Sequence, residues 1–199
     1  ALATTGTEVI YIPGNHDDVP QMRTALRGAP FQLGGCLDFP DWRIVMLDSA
    51  APGRASGWLR AEELESLQRA LASSSGRHAL VCLHHQPVPM ASRWLDEVGL
   101  ENADEFLQVI DRHRHVRGIV WGHVHQAFDA LRGKVRLLST PSTCAQFLPR
   151  VDDFAVDTRP PGYRILELRA DGAIDSEIVW LERFAAPQRP SAGRSSSAA

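Results

Sequence analysis

Cysteine is scarce in this chain: Cys36, Cys82 and Cys144 are the 3 among 199 residues, and no two form a C-x-x-C pair. An odd count at such spacing excludes a disulfide framework and a cysteine-based zinc site. It suits a reducing compartment, so a cytoplasmic location is expected. Long apolar runs are also missing, and none approaches the roughly 20 residues that cross a bilayer. The opening Ala1–Gly6 has neither the charged n-region nor the apolar h-region of a signal peptide, and it lacks a Met. No membrane partner is expected. Nor is there a basic excess: 21 Lys and Arg stand against 24 Asp and Glu, a net charge of -3. Bulk attraction to nucleic acid is thereby excluded, and no nucleic-acid partner is expected. No internal repeat is found. What is present, 44% hydrophobic and 23% charged residues, is ordinary globular composition with length for one domain and a substantial core.

Buried strands and helices alternate along the chain. Val9–Ile12, Ala79–Leu83 and Val116–Trp121 are short apolar, β-branched runs of the kind that become covered strands. Val19–Leu26, Arg60–Ala72 and Asn102–Ile110 read as helices, the second with Leu64, Leu67 and Leu71 on one face. Phe31–Phe39, Trp42–Leu47 and Val135–Leu138 read as further strands. Tyr163–Arg169 and Ala173–Leu181 flank Ala170-Asp171-Gly172, a strong hairpin signal. This alternation predicts an α/β layered fold. One domain is expected over residues 1–186, followed by a Ser-, Ala- and Pro-rich disordered tail at 187–199.

Three polar clusters follow three of these strands: Gly14-Asn15-His16-Asp17, His84-His85-Gln86-Pro87 and Gly122-His123-Val124-His125. Ligands of open α/β sheets bind beyond the carboxyl ends of strands, so one rim can gather all three. Imidazole nitrogens with amide or carboxylate oxygens suit Zn, Fe, Mn or Ni. A neutral Asn15 oxygen leaves more positive charge on its ion than a carboxylate does, which favours polarisation of a phosphoryl oxygen. In extended chain His123 and His125 share a face; in a turn they diverge. Each cluster has a plainer reading as well. Asn-His-Asp is a common turn, and His84-His85 can be one core and one surface histidine. Together the clusters hold five of the 8 histidines, and jointly they point to a metal centre. His78, His113 and His115 are expected at the surface, and Asp17 is expected to cap the following helix.

GNHD, HH and GHxH, each after a strand, resemble the calcineurin-like metallophosphoesterase superfamily. Cys82–Pro89, Trp94-Leu95-Asp96, Asn102-Ala103-Asp104, Thr140–Phe147 and Pro161–Arg164 narrow the resemblance to the bacterial class III cyclic-nucleotide phosphodiesterases, over about Glu8–Leu181. The resemblance implies a four-layer α/β/β/α sandwich, two divalent metal ions such as Fe, Mn or Zn, and cyclic AMP as a small-molecule substrate. It implies Asn15, His84 and His123 as ligands of one metal and His125 as a ligand of the other. His16 is implied as the catalytic residue that contacts the phosphate and protonates the leaving oxygen. Asn15, His16 and His125 are the implied substrate contacts; His85 matches no ligand. Thr143 and Cys144 read either as a border of the base and sugar or as a buried turn.

The family's opening Asp-x-His and Gly-Asp-x-x-Asp motifs do not occur ahead of GNHD. The expectation is therefore a sandwich with its N-terminal strands missing, inactive and poorly soluble as this chain alone. For the intact protein the implied reaction is hydrolysis of cyclic AMP to 5'-AMP. The alternatives are a broad-specificity metallophosphodiesterase and a non-catalytic module on the same fold.

Overall fold

The computed structural model describes residues 6–74 and 76–181, so the tail expected at 187–199 lies outside the described residues. At its centre runs the apolar strand His78–Leu83. In chain order the first elements are β1 (Val9–Tyr11), α1 (Val19–Ala25), β2 (Phe31–Leu33), β3 (Gly35–Asp38), β4 (Trp42–Met46), α2 (Ala61–Ala72) and β5 (His78–Leu83). Then come α3 (Arg93–Asp96), α4 (Ala103–Asp111), β6 (Val116–Trp121), β7 (Phe128–Arg132), β8 (Val135–Ser139), β9 (Gln146–Phe147), β10 (Val156–Asp157), β11 (Gly162–Leu168) and β12 (Ile174–Trp180).

Six strands form one mixed sheet in the order β3-β4-β5-β6-β8-β7. The inner four run parallel, and β3 and β7 close the edges antiparallel. A sheet covered on both faces needs apolar residues at consecutive positions, which is why β5 and β6 lack polar alternation. Successive side chains still point to opposite faces. Ala79, Val81 and Leu83 join Leu67 and Leu71 of α2 and Phe106 and Ile110 of α4 in the main core. Leu80 faces the other way and packs with Trp42, Leu138 and Ile174, against Leu166 and Leu168 of the β11–β12 hairpin. The result is the layered α/β sandwich expected: helices, the six-stranded sheet, then the hairpin. Among the described residues no helix is long and apolar enough to cross a membrane.

Some expectations need correction. Phe31–Phe39 is two strands, because Gly34 and Gly35 both adopt positive φ (58° and 88°) and turn the chain. β2 then pairs parallel with β1, while β3 pairs antiparallel with β4. β7 was not anticipated, although Gly133-Lys134 between Arg132 and Val135 is a two-residue hairpin signal. Asp18, not Asp17, caps α1: its Oδ1 accepts from the Gln21 amide at 3.0 Å. Asp17 instead accepts from the Gly14 amide at 2.8 Å and closes the preceding turn. His78, His113 and His115 are half-buried at the opposite end of the sheet rather than surface residues.

Candidate metal centre

β4, β5 and β6 run parallel as neighbours, so their carboxyl ends share one rim. That rim carries Ser49, the His84-His85 pair and the His123–His125 turn. The loop leaving β1 brings Asn15 and His16 to it. The approach is close: a Cβ on the buried Gly14 would lie 2.6–3.0 Å from the His84 ring, so only glycine lets this loop pass. Asn15 Oδ1 sits 3.1 Å from His84 Nε2 and 3.2 Å from His123 Nδ1.

The turn after β6 is strained. His123 (φ 61°) and His125 (φ 48°) are both left-handed without being glycine. The Val124 amide bonds the Gly122 carbonyl at 2.6 Å across His123, closing a tight three-residue turn. Val124 is fully buried between the two imidazoles. The histidines therefore diverge: His123 faces Asn15, while His125 donates from Nδ1 to the Ala145 carbonyl at 2.8 Å and leaves Nε2 free. Such strain recurs where a side chain must be aimed.

His85 has a different position. It is fully buried, with Nδ1 2.9 Å from Ser49 Oγ and Nε2 3.2 Å from the Ala55 carbonyl. Both ring nitrogens are engaged, so the ring is not free to bind an ion even though it lies in the same cluster. Ser49 Oγ also accepts the amides of His84 (3.3 Å) and His85 (3.2 Å). One buried hydroxyl thus fixes the turn after β5.

The charge state suits metal binding. Burial, reinforced by the neighbouring His85 and His123 imidazoles, pushes His84 down to about 3. Burial, reinforced by His85 and His125, does the same to His123, also to about 3. Burial takes His85 down to about 4 against the opposing Ala55 contact, and it lowers His125 as well. These rings are neutral at physiological pH, and a neutral imidazole has the lone pair that a cation needs.

No protein-family model matches the chain. Among curated proteins, the 3',5'-cyclic adenosine monophosphate phosphodiesterase CpdA of Pseudomonas aeruginosa is 42% identical over 168 residues, 84% of this chain and 61% of that protein. A probable cyclic nucleotide phosphodiesterase of Psychrobacter arcticus is 36% identical over 195 residues, 92% of this chain and 68% of that protein. The chain belongs to the cyclic-nucleotide phosphodiesterase family. It spans 61% and 65% of the length of the Pseudomonas aeruginosa and Escherichia coli family members. A solved structure of a putative 5'-nucleotidase from Staphylococcus aureus shares the fold, with a TM-score of 0.50 at 11% identity, covering 92% of this chain and 40% of that one.

The residues of this phosphodiesterase-family chain fit a cation. Two ligands held at 2.0–2.2 Å from one ion lie about 3.0–3.5 Å apart. The Asn15–His84 and Asn15–His123 separations of 3.1 and 3.2 Å fall in that range. The ligand atoms of His84 and His123 lie within 4.8 Å of one another, and the already bonded His85 shares their cluster. His123 presents Nδ1 to Asn15, and its Nε2 is buried without a hydrogen-bond partner. His16 is exposed and lines the same cleft, of about 340 Å3, as Asn15, His84, His123 and His125. Thr143 and Cys144 are exposed and do not line it.

Ser49 and Phe154 were not anticipated from the sequence. Ser49 had one signal, a polar residue just past β4 at the same rim. Phe154 had none.

Proposed function

We propose that the protein carrying this chain hydrolyses 3',5'-cyclic AMP to 5'-AMP in the cytoplasm, using two divalent metal ions. The observation that carries this reading is the meeting of Asn15, His84 and His123 from three separate loops. Asn15, His84 and His123 would hold one ion and His125 would contribute to the second, with iron, manganese or zinc all compatible with the donor set. Bound ions of this kind lower the pKa of water and neutralise charge developing on a phosphoryl group.

The chain's own residues do the rest. Burial keeps the ligand imidazoles neutral, and Ser49 with His85 holds the turn that aims His84. Asn15, His16 and His125 face the phosphate. Water adds to phosphorus and gives up a proton, the bond from phosphorus to the 3' oxygen breaks, and His16 delivers a proton to that oxygen and takes back the one water released, leaving a 3' hydroxyl and a 5' phosphate. A positioned general acid of this type contributes about 10²–10⁴-fold. The three unpaired cysteines support a reducing compartment.

His16→Ala tests the assignment. With metal content unchanged, kcat for cyclic AMP falls by about 10²-fold or more. An unchanged kcat removes His16 from the reaction, and absence of 5'-AMP formation by the metal-loaded intact protein removes the activity.

A further inference from the structure

The cleft has a second half that this chemistry does not use. Phe147 lies flat against His125, with ring centroids 4.2 Å apart and planes at 8°. Trp94 meets Phe147 edge-on at 5.1 Å and Phe154 at 5.2 Å, and Phe147 meets Phe154 at 5.3 Å. All three line the cleft that holds the imidazoles. Phe154 nevertheless stays 61% exposed, so one ring face is open to solvent.

Two segments build this wall, and they are tied together. Trp94 lies on α3. Phe147 ends β9, and Phe154 sits on the loop between β9 and β10. The buried Ser92 hydroxyl donates to the Val151 carbonyl at 2.6 Å and accepts the Val151 amide at 3.2 Å. The Leu148 amide bonds the Ala155 carbonyl at 2.8 Å, and the Trp94 amide bonds the Asp152 carbonyl at 3.3 Å. An exposed aromatic ring on a loop held at both ends is positioned, not merely left over. The Trp94 indole N–H, a donor only, is buried without an acceptor.

We propose that Trp94, Phe147 and Phe154 form the base-binding wall of the site, with the open face of Phe154 stacking on the purine ring. The inference rests on the cyclic-nucleotide reading above and adds a base-binding residue to it. A nucleotide has a charged phosphate at one end and a flat π-system at the other. The cleft holds both kinds of group, with imidazoles and Asn15 lining it beside three aromatic rings. Its volume lies within the range of small-molecule sites. Every base offers a π-face, so stacking supplies affinity without reading hydrogen bonds.

Binding of the pair 5'-AMP and ribose 5-phosphate to the manganese-loaded protein separates base from phosphate, and calorimetry reads it without turnover. The wild type should bind 5'-AMP at least about 10-fold more tightly, equal to about 1.4 kcal/mol. Phe154→Ala should erase that advantage and leave ribose 5-phosphate affinity unchanged, while Phe154→Trp should retain it. A Phe154→Ala protein that keeps the advantage, or that loses ribose 5-phosphate as well, overturns the stacking role. A wild type that binds both ligands equally also overturns it while leaving the phosphate site standing. If the wild type binds neither, the nucleotide reading itself fails, and the wall with it.

Discussion

Ser49 is the residue on which the geometry of the proposed metal centre most depends without being one of its ligands. Its side chain is fully buried and makes three contacts: the His84 amide at 3.3 Å, the His85 amide at 3.2 Å and His85 Nδ1 at 2.9 Å. Ser49→Ala removes all three in a space that admits no ready substitute. A buried polar group left without a partner costs about 1–3 kcal/mol. The two amide contacts are long and contribute less than the ring contact, so the total is about 2–4 kcal/mol. With a urea slope of about 2 kcal/mol/M, the unfolding midpoint drops by about 1–2 M. The functional effect follows from the same loss. Without Ser49 the His84 backbone is no longer anchored, and supporting residues of this type are worth about 10–100-fold in metal affinity. Equilibrium dialysis against manganese, beside urea unfolding of the metal-free protein, reads both quantities. A variant with wild-type metal affinity and an unshifted midpoint refutes the claim that one hydroxyl organises this turn.

Gly14→Ala places a methyl group 2.6–3.0 Å from the His84 ring, so the loop or the ring must move. Metal affinity should drop by about 10-fold or more while the far side of the sheet keeps its hydrogen-exchange protection. Acid should destabilise the metal-free protein. His84 and His123 titrate at about 3 when folded, below their ordinary 6.5. Above 6.5 the folded and unfolded states bind protons alike. Below it the unfolded chain takes up protons that the folded one refuses, so stability is lost down toward pH 3 at about 1 kcal/mol per pH unit for each ring. A urea midpoint that stays flat between neutral pH and about pH 5 contradicts this.

Much of the site was legible because its signals are local. Continuous apolar runs marked β5 and β6, and the polar residues just past them had to fall on one rim once the strands ran parallel. The plainer reading of His84-His85 was half right. His85 is a satisfied core histidine, and His84 faces the cleft. What was not legible depends on contacts between distant segments. Ser49 reaches residues 35 and 36 positions away, and no pattern around it announces that. The cap of α1 shifted from Asp17 to Asp18 because the Gly14 amide claimed the first carboxylate. Gly34-Gly35 looked like part of a strand because glycine is silent in a hydrophobic pattern, although both residues adopt positive φ. Phe154 looked like an ordinary loop residue, since only the folded chain brings it to Trp94 and Phe147.

The most direct measurement is anomalous diffraction from a crystal of the intact protein grown with manganese. The account predicts a peak about 2.0–2.3 Å from Asn15 Oδ1, His84 Nε2 and His123 Nδ1 together, with His85 still bonded to Ser49. A cation bound through His85, or no peak among these three atoms, contradicts it.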